Sequence, residues 1–202
     1  MSPAASPSRP DRPDTAALDA LAARLASAGS LRVAPATGPE LVAVKRLRDE
    51  HVVEEGWGDG DDPGDHEVAI AAWDGEALVG TIRLVLPRAG LRLPVEEAFD
   101  LDIKPRGGVV EIGRLLIPAD RRGDPAHVTW GALFAHAWFE VRAQGLGVLA
   151  GAATAALIAR YHALGLPFEV LGPARRHWGE DRHPVRLDPS RVNTPTWYGV
   201  ER

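Results

Sequence analysis

The residues with chemistry to offer gather around one stretch, VVEIGRLLIP, from Val109 to Pro118. It is an apolar run interrupted by Glu111, Gly113 and Arg114. A strand buried on both faces reads as continuously apolar. An ionised side chain inside it is costly unless it is paired or used. Glu111 and Arg114 are therefore either a structural ion pair or the centre of a site. Arg83, inside the apolar run LVGTIRLV, is a second strand arginine. It is either a solvated-face arginine of an antiparallel sheet or a member of the same site. Arg48 precedes Glu55 by seven residues in the helical pattern ELVAVKRLRDEHVVEEGW, so the two share a face over two turns. The acidic loop GDGDDPGD, Gly58 to Asp65, carries Asp62 and Asp65 but lacks the spacing of a calcium loop.

Residues three apart in a regular strand point to opposite faces. Glu111 and Arg114 share a site only if the strand bulges between them. Gly113 lies between them, and a glycine inside a strand marks a bulge or a close backbone approach. A bulge centred on Gly113 is therefore expected.

The elements around this stretch follow from periodicity and turn chemistry. Residues 1–14 form a Ser/Pro/Arg/Ala tail with little to bury, expected to be disordered. Asp14 or Thr15 starts a helix reaching Gly29, with Leu18, Leu21 and Leu25 on one stripe. Leu31 to Ala34 is a short strand ended by Pro35, and Gly38-Pro39 opens the second helix. Glu67 to Trp73 and Ala77 to Leu86 form a hairpin about Asp74-Gly75. In its second strand Val79, Thr81, Arg83 and Val85 share one face, and Leu78, Gly80, Ile82 and Leu84 the other. Pro87 to Arg106 is a connection to the central strand. Asp124-Pro125 opens a helix with Trp130, Leu133, Phe134, Ala137, Trp138 and Val141 at core spacing, ending at Gln144-Gly145. A strand at Val148 to Thr154, a helix at Ala155 to Leu164, and strands at Phe168 to Leu171 and Arg182 to Leu187 complete the pattern. The order mixes a hairpin with βα units, so an α+β fold with a mixed, twisted sheet is expected, in a single domain over residues 15–202.

The composition bounds the answer. The chain has 202 residues, 45% of them hydrophobic, which suffices for one sizeable core. A net charge of −5 argues against nucleic acid as a main partner. No cysteine is present, so disulfides, thiolate metal sites and cysteine nucleophiles are excluded. No run is long and apolar enough for a membrane span, and no signal pattern opens the chain, so a cytoplasmic protein is expected.

These residues, in this order, resemble the GNAT acyltransferase superfamily, and within it the acyl-homoserine lactone synthases and long-chain N-acyl amino acid synthases. LRDEHVVEEGW resembles the first motif of that branch, through Arg48, Val52, Val53, Glu55 and Trp57. DDPGD supplies Asp62 and Asp65, VGTIRLVLP supplies Arg83 and Pro87, and LPVEEAF supplies Phe99. EIGRLLI is similar to the E-x-[ST]-R-[FL] strand, with glycine in place of Ser or Thr. RYHALG is similar to the Y-x-x-x-G helix end, giving Tyr161 and Gly165. The resemblance covers roughly Leu41 to Asp188. It departs at the phosphate loop, where Asp120 stands for the usual cation or amide and Pro125 for the second glycine.

The resemblance implies a GNAT-like fold with a splayed central strand. It implies an N-acyltransferase that moves an acyl group from a thioester, acyl-CoA or acyl carrier protein, to the amine of a small acceptor, with no permanently bound cofactor and no metal. The product would be an N-acyl amino acid or a relative of N-acyl homoserine lactone, as in autoinducer synthesis. Glu111 would take the amine's proton if burial raises its pKa toward neutral, and Tyr161 would protonate the leaving thiolate. Arg48, Trp57, Asp62, Asp65, Arg83, Phe99 and Arg114 would meet the acceptor. Leu115, Leu116, Ile117, Arg121, Arg122 and Gly123 would meet the acyl donor, with small residues Ala150 to Ala153 leaving room for its chain. Arg175, Arg176 and Arg182 are further candidates for a phosphate. Two other readings remain: an acetyltransferase acting on a small amine or a protein N-terminus, against which the altered phosphate loop argues, and a non-catalytic domain that binds acyl thioesters.

Overall fold

The computed structural model describes residues 13–55, 66–105, 108–121 and 124–192. The tail at 1–12 and the acidic loop with Trp57, Asp62 and Asp65 lie outside them, as do Arg122 and Gly123. In chain order the elements are α1 (Ala16–Ala26), β1 (Arg32–Pro35), α2 (Pro39–Glu55), β2 (Glu67–Asp74), β3 (Ala77–Val85), α3 (Pro94–Phe99), β4 (Val109–Leu116), α4 (Asp124–Ala143), β5 (Val148–Ala153), α5 (Ala155–Ala163), β6 (Glu169–Val170), β7 (Arg175–His177) and β8 (Glu180–Leu187).

Alternation decides which face each strand residue covers. Ile70, Ala72, Ile82, Leu84, Val110 and Leu149 point to one face, where α1 and α4 bring Leu18, Leu21, Leu133, Phe134 and Trp138. On the other face Ala69 and Ala71 pack against Val44 of α2. There too Val85, Val109, Val148 and Ala150 pack against Val95 and Phe99 around α3. With helices on both faces, the central strands carry the uninterrupted apolar runs that parallel-type sheets show. The eight-stranded sheet runs β1-β2-β3-β4-β5-β8-β6, with β7 attached to β8 alone. Among the described residues only β4 and β5 pair in parallel, joined by the crossover through α4.

Close packing of α4 on β3 rests on Gly80, where an added Cβ would lie 3.0 Å from Leu133 Cδ1 and 3.1 Å from the Leu116 carbonyl oxygen. α1 is tied to α4 by a polar clamp under Trp138, which is fully buried. The indole Nε1 of Trp138 donates to Asp19 Oδ1 at 2.7 Å, and Thr15 Oγ1 donates to Asp19 Oδ2 at 2.8 Å.

The structure corrects the expectations at several points. Pro35 is the last residue of β1 rather than its stop, as the exposed edge of a sheet permits. The turn of the first hairpin is Gly75-Glu76, inside the pair Asp74↔Ala77. One extra residue, Val79, bulges out of β3, so Ala72 pairs with Gly80 but Trp73 with Leu78. Val79 consequently joins the main core with Ile82 and Leu84, while Leu78 packs beside α2, the reverse of simple alternation. The connection from Pro87 contains α3, whose start is marked by Pro94 at a first-turn position and by the Glu96 carboxylate accepting from Leu93 N at 2.8 Å. Finally, β7 and β8 form a hairpin where a single strand from Arg182 was expected.

Asp19→Ala leaves a buried indole N–H without its acceptor. It should cost about 1–3 kcal/mol of unfolding free energy, read from urea denaturation, whereas Asp19→Asn, which keeps an acceptor oxygen, should lose less.

Candidate functional site

One cross-strand row organises the α2/α3 face of the sheet. Glu67 of β2 pairs with Val85 of β3, Val85 with Glu111 of β4, and Glu111 with Ala150 of β5. Directly paired residues share a face, so both acids point to the same side. Arg83, two residues before Val85, points there as well. Its guanidinium lies between the two carboxylates, with Nη1 3.1 Å from Glu67 Oε1 and Nη2 3.6 Å from Glu111 Oε1. Arg83 is 1% exposed and Glu111 6%. At that burial an ion needs its partners, because removing one leaves an uncompensated charge in low dielectric.

Glu111 has a second tie. Its Oε2 accepts from the backbone N–H of Val95 at 2.7 Å, in the first turn of α3. The first N–H groups of a helix have no partner within the helix, and a carboxylate there also meets the favourable end of the helix dipole. The sequence makes Glu111 a base if burial raises its pKa. The structure buries it and surrounds it with an amide N–H and a guanidinium, both of which complement a negative charge.

β4 is irregular, and the irregularity sits one residue beyond Gly113. Arg83 pairs with Gly113 and Thr81 with Leu116, two steps on β3 against three on β4. The backbone turn falls on Arg114 itself, at φ +49°, while Gly113 does not adopt a left-handed conformation. A non-glycine residue at positive φ costs on the order of 1–2 kcal/mol. The bulge turns the Arg114 side chain onto the indole of Trp178, with Cζ 3.5 Å from the ring centroid. The guanidinium carbons of Arg83 and Arg182 lie 5.9 and 5.7 Å from the same centroid. Glu111, Arg83 and Arg114 are thereby brought together. Arg48 approaches this face from α2, its Nη2 3.4 Å from Thr81 Oγ1, which itself donates to the Ile70 carbonyl oxygen at 3.0 Å.

Trp178 and Glu67 were not among the expected site residues. Trp178 occupies the first position of the two-residue turn Trp178-Gly179 between β7 and β8, with φ +51° and +71°. Such turns are normally Asn-Gly or Gly-Gly, so the Trp-Gly pair was a poor turn signal. The ring of His177 stacks on Trp178 with centroids 4.8 Å apart and meets Phe99 of α3 edge-on at 5.7 Å. Phe99 is thus a buried support for this hairpin, 3% exposed.

Beyond Glu111 the sheet parts. The β4–β5 pairing runs only from Val109↔Val148 to Glu111↔Ala150, although β4 continues to Leu116 and β5 to Ala153. At the last contact an added Cβ on Gly151 would sit 2.5 Å from the Ile112 carbonyl oxygen, so glycine is required there. The small residues of β5 therefore serve strand contact first: Ala150 and Ala153 are buried in the two cores. Leu115 and Ile117 are partly buried against the main core, and Leu116 is buried opposite Thr81. Arg121 is half-exposed and reaches Asp74 at 3.6 Å and Asp120 at 3.8 Å. Arg175 donates to the Ala98 carbonyl oxygen at the end of α3, 3.5 Å away. Arg182 pairs with Glu180.

Tyr161 is wedged in an aromatic cluster, its ring centroid 4.7 Å from Phe168 and 5.9 Å from Trp130. Burial pushes its phenol up to about 12, against a small opposing pull from Arg160 and Arg182. A cavity of about 740 Å³ opens elsewhere, between the Pro87–Leu93 loop and the Leu101–Ile103 segment, at the end of β4 remote from Arg114. Its lining holds none of Arg83, Glu111 or Arg114. Among the described residues no group of three His, Cys, Asp or Glu could hold a metal ion, and no helix is long and apolar enough to cross a membrane.

No family model matches the chain, and no curated protein matches it. Solved structures do. The chain is similar to FeeM, an N-acyl amino acid synthase from uncultured soil microbes, at 15% identity and a TM-score of 0.63, covering 78% of this chain and 89% of that one. It is similar to an acyl-CoA N-acyltransferase from Pseudomonas aeruginosa at 23% identity and a TM-score of 0.56, covering 78% and 97%. It is also similar to the acyl-homoserine lactone synthase LasI at 16% identity and a TM-score of 0.63, covering 79% and 89%. The mixed sheet flanked by helices is the GNAT-like acyltransferase fold, as the resemblance implied.

The raised Tyr161 phenol makes the folded state hold its proton more tightly than the unfolded chain. The stability this represents is complete below pH 10 and is lost as pH rises through about 12. Tyr161→Phe should therefore flatten the fall in melting temperature between pH 10 and 12. A fall as steep as in the wild type would mean that the phenol is not buried in this way.

Proposed function

We propose that this protein is an N-acyltransferase that moves an acyl group from a thioester to the amine of a small, carboxylate-bearing acceptor. The observation that carries this reading is the buried Arg83–Glu111 pair at the point where β4 leaves β5. A carboxylate, a bulged backbone and a gap between parallel strands lie together there. Acyl transfer from a thioester to an amine needs those three things: a proton acceptor, donors for an oxyanion, and a slot for an extended donor.

Arg114 and Arg83 hold the acceptor's carboxylate, with Arg48 approaching the same face, and Asp62 and Asp65 are assigned to its amine. The amine loses a proton through water toward Glu111 and attacks the thioester carbonyl. A backbone N–H freed by the bulge receives the developing oxyanion, a contact typically worth about 3–4 kcal/mol. The C–S bond breaks as the C–N bond remains, and the thiolate leaves. A thiol titrates near 8.5, so a phenol held near 12 is a poor donor to that thiolate. Tyr161 serves in this scheme as a wall of the donor slot, and the thiolate takes, through water, the proton that Glu111 drew from the amine. Leu115, Leu116, Ile117 and the α4 helix form the rest of that slot, and Arg121, Arg122 and Gly123 are assigned to the donor. The likeness to an acyl-CoA N-acyltransferase and to CoA-dependent acyl-homoserine lactone synthases supports acyl-CoA as donor; acyl carrier protein is the other carrier of the same thioester. The product class is an N-acyl amino acid or an N-acyl homoserine lactone-like compound.

The test is thiol release from octanoyl-CoA, and from octanoyl acyl carrier protein, with and without a panel of L-amino acids. Release should require an amine. Glu111→Gln keeps an oxygen for Val95 N–H and loses the charge, so it should lower kcat by about 10²-fold or more, measured at a temperature where its melting curve shows it still folded. Release that ignores the amine would make this a thioesterase. Binding of thioester with no turnover, unaltered in Glu111→Gln, would make it a binding domain.

A further inference from the structure

A second buried acid, with no part in the proposed reaction, sits beside its base. Glu67, the first residue of β2, turns a side chain that is 8% exposed toward Arg83, and its Oε1 lies 3.1 Å from Nη1. Glu111 Oε1 is 3.6 Å from Nη2 of the same guanidinium, longer than a hydrogen bond. Arg83 thus gives the shorter of these two contacts to the acid that the reaction does not use. Buried acids are rare, and this one is placed by an irregularity. The bulge at Val79 pairs Glu67 with Val85, whose other neighbour is Glu111. Each element packed on this row brings its own charges. Among the described residues, α2 brings Arg48 to Thr81, with buried His51 one turn further on. α3 brings the Val95 N–H to Glu111 Oε2, while its Glu96 is committed to Leu93 N and Ile103 N and its Glu97 is exposed. Arg114 of β4, Arg182 of β8 and His177 of β7 gather on the Trp178 ring. β5 adds only Ala150 to the row. Glu67 is the carboxylate in this set that shares a guanidinium with Glu111.

Resting on the acyl-transfer reading, we propose that Glu67 is a positioning residue for that reaction: by holding Arg83 it keeps the guanidinium from closing on Glu111, so that Glu111 can take the amine's proton and give it up again. A guanidinium facing one buried carboxylate closes on it in a short, two-pronged pair and holds it ionised. A second carboxylate changes both sides of that balance. It shares the guanidinium, and its own negative charge favours a proton on its neighbour. Glu67 does this without meeting substrate, through Arg83 and through space. It also remains as a counter-charge to the buried Arg83 while Glu111 carries the proton.

Two variants separate this from simple bracing. Glu67→Gln keeps the shape and removes the charge; Glu67→Asp keeps the charge on a shorter arm. Both are measured at a temperature where their melting curves show them folded. The first measurement needs no turnover. In protein labelled with ¹³C at the glutamate Cδ, the resonance missing from Glu111→Gln belongs to Glu111. In the wild type it should titrate above the pH of acid unfolding. In Glu67→Gln its midpoint should fall by about one pH unit, with Glu67→Asp between that variant and the wild type. The second measurement is kcat at saturating octanoyl-CoA and L-amino acid, where changes in acceptor binding drop out. A base held more firmly ionised is a weaker one, so Glu67→Gln should lower kcat about 3- to 10-fold, with Glu67→Asp again between. A Glu111 midpoint that stays or rises in both variants, a wild-type resonance that does not titrate, or a lowered midpoint with wild-type kcat would each overturn the proposal. So would a lowered kcat with an unmoved midpoint, which would make Glu67 a brace. Midpoints that fall as expected in a protein that consumes no thioester with any amine would support the control of Glu111 by Glu67 and defeat the acyl-transfer reading instead.

Discussion

Arg83 is the residue on which the rest depends. A guanidinium cannot shed its charge and cannot be buried alone. Once β3 carries it inward, β2 and β4 must each present an acid on the same face, and they do, in one cross-strand row. Glu111 then carries two obligations, to Arg83 and to the first turn of α3. α3 in turn supports the β7–β8 hairpin, and the hairpin's Trp178 meets Arg114. The site is closed by a chain of contacts that begins and ends on the central strand. This explains why a six-residue helix inside a surface connection is held so firmly: Glu96 ties both Leu93 N and Ile103 N, and Arg92 takes the Glu96 and Leu101 carbonyl oxygens.

Most of the fold was legible because its signals are local. The α4 stripe from Trp130 to Val141, the Gly/Pro punctuation and the apolar runs each follow from periodicity, and the structure contains them. What was not legible depends on register. Counting back from the turn at Gly75-Glu76 without a bulge would pair Glu67 with Leu84, on the face opposite Arg83. The extra residue Val79 moves Glu67 to Val85 and onto Arg83's face. Nothing in LVGTIR announces that Val79 will be the residue displaced. Glu67 was therefore invisible as a partner until the register was known.

The same limit explains the one-residue error in β4. Glycine was read as the place where the backbone bends, because glycine bends most easily. The bend falls instead on Arg114, which is harder to bend and so needs a reason outside the strand. Trp178 supplies it, from a segment more than sixty residues later whose own turn is equally unfavourable by local rules. Each residue's conformation is costly alone and is stabilised by the stack the pair makes. Two local violations that resolve each other across the sheet are what local propensity cannot reveal.

These ties also constrain the chemistry. The Glu111 carboxylate accepts from an amide N–H and faces a guanidinium, and both contacts complement its negative charge. If Glu111 kept a proton, it would weaken its hold on Arg83 and on α3 together, and the hairpin that rests on α3 would lose its footing. In the proposed reaction a proton drawn from the acceptor would therefore pass on at once, through water, to the departing thiolate, a stronger base than a free carboxylate. The arrangement favours a carboxylate that relays a proton over one that stores it. The charge on Glu111 also ties β3, β4 and α3 together, so in the proposed reaction the group that would relay the proton is also the one that keeps the site assembled.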